Sequence, residues 1–354
     1  MIVRVPCPGG KPIAAGPGAP TRVMALTGMT HLLGYDAQAE KIDALTQIQE
    51  RPDIIADLSI VGSQRPLWKR VLDAGCATAT LPVYTATLRS SRIDEAELLD
   101  IALEQLANGV GLLTIHPTPT RELVEAAQKR IVPWTSRGGG LIINDLLASH
   151  DQENAYRKIL PDLVPAALRH GAVLSIGATF RSANIFDSLD QVQQAEIDAQ
   201  LKLASEIAEA GVGVIIESPG HARPADIVTC ARRLAQAGFP IMPLGPIPTD
   251  IAIGWDHVAA AIGATLMGME GGAHILAAVT REEHTGNVPT LESTLEAIRT
   301  ARVAAHVIDI HQLGATESDA RIVAQRAEHH TCVAGKYSPG CSRCATTCPL
   351  EGHQ

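Results

Sequence analysis

Aromatic side chains make up only 3% of this 354-residue chain. A stacking platform for single-stranded nucleic acid needs several on one surface, so that class of binder is excluded. Positive charge is also in deficit: 29 Lys and Arg stand against 38 Asp and Glu, a formal net charge of −9. A broad surface for the nucleic-acid backbone carries the opposite sign. No apolar run approaches the ~18 residues of a membrane-spanning helix. The opening MIVRVPCPGGKPIAAGPGAP is broken by prolines and glycines. It lacks the apolar centre of a secretory signal, so a cytoplasmic location is expected. The seven cysteines do not form a disulfide framework, because three of them crowd into the tail as Cys341, Cys344 and Cys348.

Residues 1–20 show no hydrophobic period. After them, apolar β-type runs alternate with helical stretches. The runs are RVMALTG (22–28), DIIADLSI (53–60), GCATATLPVY (75–84), GVGLLTIHP (109–117) and RIVPWTS (130–136), then AVLSIGAT (172–179), GVGVIIES (211–218), FPIMPLGP (239–246) and ATLMGMEG (264–271). Continuous rather than alternating hydrophobicity suits parallel strands covered on both faces. The stretches 93–109 and 193–211 repeat apolar residues at three and four, and each ends on a glycine, as a helix C-cap would. Eight strands counted from residue 53 predict an α/β chain with a (β/α)8 TIM-type barrel; a doubly wound open sheet is the other arrangement. The expected layout is residues 1–52 as an N-terminal segment with one strand and helix, 53–312 as the barrel, and 313–354 as a helix and cysteine-rich tail.

In the tail, GCSRCATTCP spaces its cysteines Cys-x2-Cys-x3-Cys. Thiolates suit zinc or an iron–sulfur cluster. Three of them can hold three irons of a cubane and leave the fourth for a small molecule such as S-adenosylmethionine. A structural zinc site with Cys332 or His353 as fourth ligand fits the same spacing. IIESPGH places Glu217 and His221 at a strand end, where barrel active sites form. TREEHTGN places His284 beyond the last strand, and two such histidines could hold a divalent metal. In TSRGGG, Ser136 to Gly140, successive glycines after an arginine let backbone N–H groups approach an anion closely, and a following helix adds its positive end. His116 ends TIH, and Arg181 ends GATFR. Two arginines at one barrel mouth suggest a phosphorylated small-molecule substrate.

Taken in order, DLSI (57–60), TLPVY (80–84), TIH (114–116), TSRGGG, SIGATFR (175–181), IIESPGH (215–221), LGPIPTDIAIGWDH (244–257), VTREEH (279–284) and the cysteine tail resemble the phosphomethylpyrimidine synthase (ThiC) family of thiamine biosynthesis. The resemblance implies a (β/α)8 barrel, a homodimer and a C-terminal 4Fe–4S cluster held by Cys341, Cys344 and Cys348. It implies a radical S-adenosylmethionine carbon–carbon lyase acting on 5-aminoimidazole ribotide and supplied by a reducing electron donor. His221 and His284 match metal ligands for zinc or iron. His116, Ser136, Arg137, Gly138, Arg181 and Glu217 match substrate-binding positions, with Glu217 and His116 nearest the chemistry.

The departures from the family are specific. The second cysteine gap is one residue shorter than usual, Ala178 stands for an aspartate, Ser63 for an asparagine and Met242 for a tyrosine, and the family's long N-terminal region is missing. A paralogue with another product is therefore the second expectation, as in 5-hydroxybenzimidazole synthase of cobamide lower-base synthesis. Other classes are a metal-dependent lyase or aldolase with a zinc tail, and a ribotide- or metal-binding regulator without activity.

Overall fold

The computed structural model describes residues 1–87, 92–149, 151–334, 343–344 and 347–350. Two compact units divide it, Met1–Ile308 and Asp309–Gln354.

The first unit opens with an antiparallel hairpin, β1 (Val3–Val5) and β2 (Ile13–Ala15). Then come β3 (Arg22–Thr27), β4 (Ile54–Asp57), β5 (Ala77–Thr80), β6 (Leu112–Ile115), β7 (Val173–Ile176), β8 (Gly213–Glu217), β9 (Ile241–Met242) and β10 (Ile275–Ala277). These eight form one parallel sheet in the order β10-β3-β4-β5-β6-β7-β8-β9, with helices between them. His274 latches the ends together. Its N–H donates to the Ile241 carbonyl at 2.9 Å, and its Nδ1 accepts from the Ile241 N–H at 3.0 Å. Burial lowers its pKa to about 4, so the ring is a neutral acceptor at this joint. This is the expected (β/α)8 barrel.

Two of the expected strands are not strands, and the barrel does not begin at residue 53. Within 130–136, the Ile131 and Val132 N–H groups donate to the Asp187 carboxylate at 3.3 and 3.2 Å instead of to a neighbouring strand. Residues 264–269 complete the helix Asp256–Met269, whose Ala260, Gly263, Ala264 and Met267 bury one helical face. Runs of small apolar residues fit a helix against a sheet as readily as a buried strand. The two vacated places go to β3 and β10. β3 pairs with β4 and β10, so the first barrel strand lies inside the segment 1–52 that the sequence reading kept outside the barrel.

Side chains alternate in and out along each strand. Met24, Ile54, Ala77, Leu112, Val173, Ile215 and Ile275 fill the barrel and pack on Val3, Val5 and Ala15, so the hairpin plugs one end. Toward the C-terminal ends the inward positions turn small or polar: Ala56, Ala79, Thr114, Ser175, Glu217 and Ala277. That change opens a cavity at the mouth.

In the second unit, the helix Glu317–Glu328 buries no residue of its own. Cys344 and Cys348 are half-buried, and the Thr347 N–H and hydroxyl donate to the Cys344 carbonyl at 2.9 and 2.7 Å. Cys341 and His353 lie outside the described residues. No described helix is long and apolar enough to cross a membrane.

Candidate active site

A cavity of about 390 Å³ occupies the C-terminal mouth of the barrel. His116, Ser136, Arg137, Arg181, Glu217, His221 and His284 all line it. Residues separated by more than 160 positions in sequence therefore face one volume, because every parallel strand delivers its C-terminal end to the same side.

One side gathers a helix start and two guanidinium groups. Ser136 caps the helix Arg137–Ala148, its Oγ accepting from the Gly139 N–H at 3.1 Å. This leaves other first-turn N–H groups and the positive end of the helix for a ligand. Gly138 lets this helix start lie directly against His116, because a Cβ there would stand 2.6 Å from His116 Nε2. The Arg137 guanidinium lies over the Tyr84 ring, 5.6 Å from its centroid. Arg181 is oriented by an Nη1 hydrogen bond to the Ala178 carbonyl at 3.0 Å.

His116 and Glu217 sit at the floor. His116 is buried, its Nδ1 3.1 Å from Thr179 Oγ1. Burial, and then the Arg181 charge, lower its pKa to about 3, so the ring is neutral at physiological pH. Glu217 Oε1 accepts from the Thr114 and Ser175 hydroxyls, each at 3.1 Å. Burial pushes its pKa up, opposed by Arg181 and by hydrogen bonds from Thr114, Ser175 and the Ala178 N–H. Ala178, where an aspartate was expected from the resemblance, is itself buried and supplies no carboxylate.

The other side is a histidine pair. His221 Nε2 and His284 Nε2 stand 3.1 Å apart. Each ring is held from behind at 2.6 Å: His221 Nδ1 by Asp250 Oδ1 and His284 Nδ1 by Asp256 Oδ1. A carboxylate only accepts, so each Nδ1 carries a proton, and the two Nε2 atoms are left facing each other across the cavity wall. Sequence reading missed Thr114, Ser175, Thr179, Asp250 and Asp256. Asp250 and Asp256 do lie in the PTDIAIGWDH segment, but nothing local ties either to a histidine about 30 residues away. Among the described residues no group of three or more His, Cys, Asp or Glu converges for a metal.

The model of the radical SAM ThiC family matches residues 2–338. The phosphomethylpyrimidine synthase of Pyrobaculum aerophilum is 31% identical over 328 residues, covering 88% of this chain and 74% of that protein. That of Ignicoccus hospitalis is 32% identical over 314 residues, with 85% and 70% covered. That of Desulforamulus reducens is 31% identical over 331 residues, with 89% and 75% covered.

Proposed function

The chain belongs to the radical SAM ThiC family and is an enzyme, and from that premise we propose that it is a carbon–carbon lyase that rearranges 5-aminoimidazole ribotide, or a closely related ribotide, in thiamine pyrimidine synthesis. The observation that carries this reading is one mouth with two differently built halves: an anion cradle at Ser136–Gly138 with Arg137 and Arg181, and a carboxylate-backed histidine pair facing it.

The cradle would grip the phosphate. Arg137 and Arg181 offer planar, bidentate donors, and the helix start adds backbone N–H groups. That fixes the ribose over the floor, where Glu217 can accept from a hydroxyl or ring amino group and neutral His116 can exchange a hydrogen bond without adding charge. Thr114 and Ser175 hold the Glu217 carboxylate in place, so substrate meets a preset acceptor. The small inward residues Ala56, Ala79 and Ala277 leave room for a heterocycle and keep the wall apolar, which limits water near reactive species.

The donor sets fit both metal groups. Two Nε2 atoms at 3.1 Å can share a proton or a metal cation, and neutral imidazole suits zinc or iron(II). His221 and His284 would hold that divalent metal, with other positions left to water or substrate. Cys341, Cys344 and Cys348 are soft thiolates within eight residues and would hold a 4Fe–4S cluster. When bound, the cluster supplies one electron to S-adenosylmethionine, the source of the family's radical chemistry. A homodimer, a reducing electron donor and a cytoplasmic setting belong to the same proposal.

Ala178 favours a second reading, a paralogue making a different product such as 5-hydroxybenzimidazole, since a substrate group that an aspartate would accept from loses its partner there. The test is anaerobic incubation of reconstituted enzyme with S-adenosylmethionine, reductant and aminoimidazole ribotide, with products identified by mass. The thiamine pyrimidine supports the first reading and hydroxybenzimidazole the second. Ribotide unchanged, with no 5′-deoxyadenosine formed, overturns both.

A further inference from the structure

The helix Gln191–Glu209 follows β7 and lies behind the floor of the site. Two of its buried side chains, Glu196 and Gln200, are one turn apart and so share a face. They do opposite work. Glu196 only accepts: Oε1 takes the Thr118 hydroxyl at 2.7 Å and the Thr179 N–H at 2.8 Å, and Oε2 takes the Phe180 N–H at 2.6 Å. Gln200 donates: its Nε2 meets the Ile176 and Glu217 carbonyls at 3.0 Å and the Gly177 carbonyl at 3.3 Å. Between them the two side chains satisfy the backbone polar groups left over where β7 and β8 stop pairing, which would otherwise be buried without partners.

The segments they fix carry the substrate-facing groups. Thr118 lies two residues after His116. Thr179 bonds His116 Nδ1 directly at 3.1 Å. Phe180 precedes Arg181, and the Glu217 carbonyl belongs to the residue whose carboxylate faces the cavity. Neither Glu196 nor Gln200 lines that cavity. Buried hydroxyls or water could have served these strand ends. A carboxylate and an amide in register instead lock three segments, distant in sequence, to one rigid helix.

We propose that Glu196 and Gln200 are positioning residues for the anion half of the site and the floor beside it, setting through Thr118, Thr179 and Phe180 where Arg181 meets the substrate phosphate and where His116 meets the rest of the substrate. This rests on the reading of the cradle as a phosphate site. The sharpest probe is Thr118, whose hydroxyl reaches Glu196 from the loop: Thr118→Val keeps shape and removes one bond, and Thr118→Ser restores the hydroxyl. Glu196→Gln is the stronger variant, since its amide N–H₂ would face donors.

The experiment uses anaerobic holoenzyme. Calorimetry gives the affinity for inorganic phosphate, steady-state kinetics give KM and kcat for aminoimidazole ribotide, and melting temperature reports folding. We expect Thr118→Val to weaken phosphate binding and raise ribotide KM by about three- to tenfold, with kcat at saturation and melting temperature little changed. Thr118→Ser should return to wild-type values, and Glu196→Gln should raise KM by about tenfold or more. Unchanged phosphate affinity and KM in Thr118→Val overturn the proposal, even if Glu196→Gln fails to fold. So does a loss in kcat with KM unmoved. If wild type binds phosphate but does not convert the ribotide, the functional reading fails while the phosphate affinities still decide the positioning role. If wild type binds no phosphate, the positioning proposal falls.

Discussion

The barrel mouth and the cysteine tail are built on different terms. In the mouth every chemistry-bearing side chain has a partner behind it: Thr179 for His116, Thr114 and Ser175 for Glu217, Asp250 for His221 and Asp256 for His284. The tail is an exposed segment by comparison. Its helix Glu317–Glu328 buries nothing, and Arg343 and Thr347 beside its cysteines face solvent. A site that must hold a substrate in one pose needs rotamers fixed in advance. A thiolate set can take its geometry from the metal it binds, because metal–sulfur bonds supply the ordering energy. The mouth should therefore tolerate loss of its metals, and the tail should not.

Replacing Cys344 or Cys348 breaks that contrast most directly. Each Cys→Ala variant should lose the cluster and essentially all turnover, while the secondary structure and melting of the barrel stay near wild type. Cys332→Ala should keep full iron and sulfide. Cys341→Ala is expected to behave like Cys344→Ala. Iron and sulfide analysis after anaerobic reconstitution checks all four, and a full complement in the Cys344 and Cys348 variants would remove the tail from the cluster assignment.

In the mouth the next largest effect belongs to Arg181. Lysine keeps the charge but cannot reproduce a planar two-bond grip or the Nη1 bond to the Ala178 carbonyl. Arg181→Lys should weaken ribotide binding about ten- to a hundredfold, the loss of a charged hydrogen bond worth roughly 1.5–3 kcal/mol, with cluster content intact. An unchanged KM would place the phosphate elsewhere. Asp250→Asn sharpens the other half. An amide can turn its N–H₂ toward the ring and reverse the tautomer of His221, which turns Nε2 into a donor. Divalent metal affinity should fall about ten- to a hundredfold, as is typical when the partner behind a metal-bound histidine is lost. Metal titration of cluster-free protein with zinc measures this, and equal affinity would mean Asp250 does not set the ring.

These partners are also where sequence reading stopped. The strand-end motifs were legible because they are local: TIH, GATFR and IIESPGH each join an apolar run to a polar stop, and in a parallel barrel every such stop points to the same mouth. TSRGGG was legible because serine, arginine and three glycines in a row form a cap and helix start within a few residues. Asp250, Asp256 and Glu196 were not, since each acts on a group tens of residues away and no local pattern selects an aspartate or glutamate for that role. The strand count reached eight with two wrong members for a related reason. GATLMGME is apolar enough for a strand, and only its packing face makes it the end of a helix. RIVPWTS carries three apolar residues, but its N–H groups go to a carboxylate.

The smallest expected effect is on stability and comes from Glu196. Burial raises its folded-state pKa to about 7, with the hydrogen bonds from Thr118, Phe180 and Thr179 and the Arg130 charge opposing. In the unfolded chain the group titrates near the ordinary value of about 4.3. The folded state thus binds the proton more tightly. This group's contribution favours folding fully below the unfolded pKa and is lost as pH rises from about 4.3 through about 7. The shift corresponds to a few kcal/mol at most. His116 acts in the opposite sense. Its folded pKa of about 3 lies below the unfolded value near 6.5, so its contribution is full above 6.5 and is lost as pH falls toward 3. Between about pH 4.3 and 6.5 the two slopes oppose each other, and removing Glu196 should expose the histidine alone. Relative to wild type, Glu196→Gln should gain a few degrees of melting temperature on going from pH 5 to pH 8. A parallel pair of melting curves across that range would mean that the folded state keeps Glu196 ionised, with no more proton affinity than the unfolded chain.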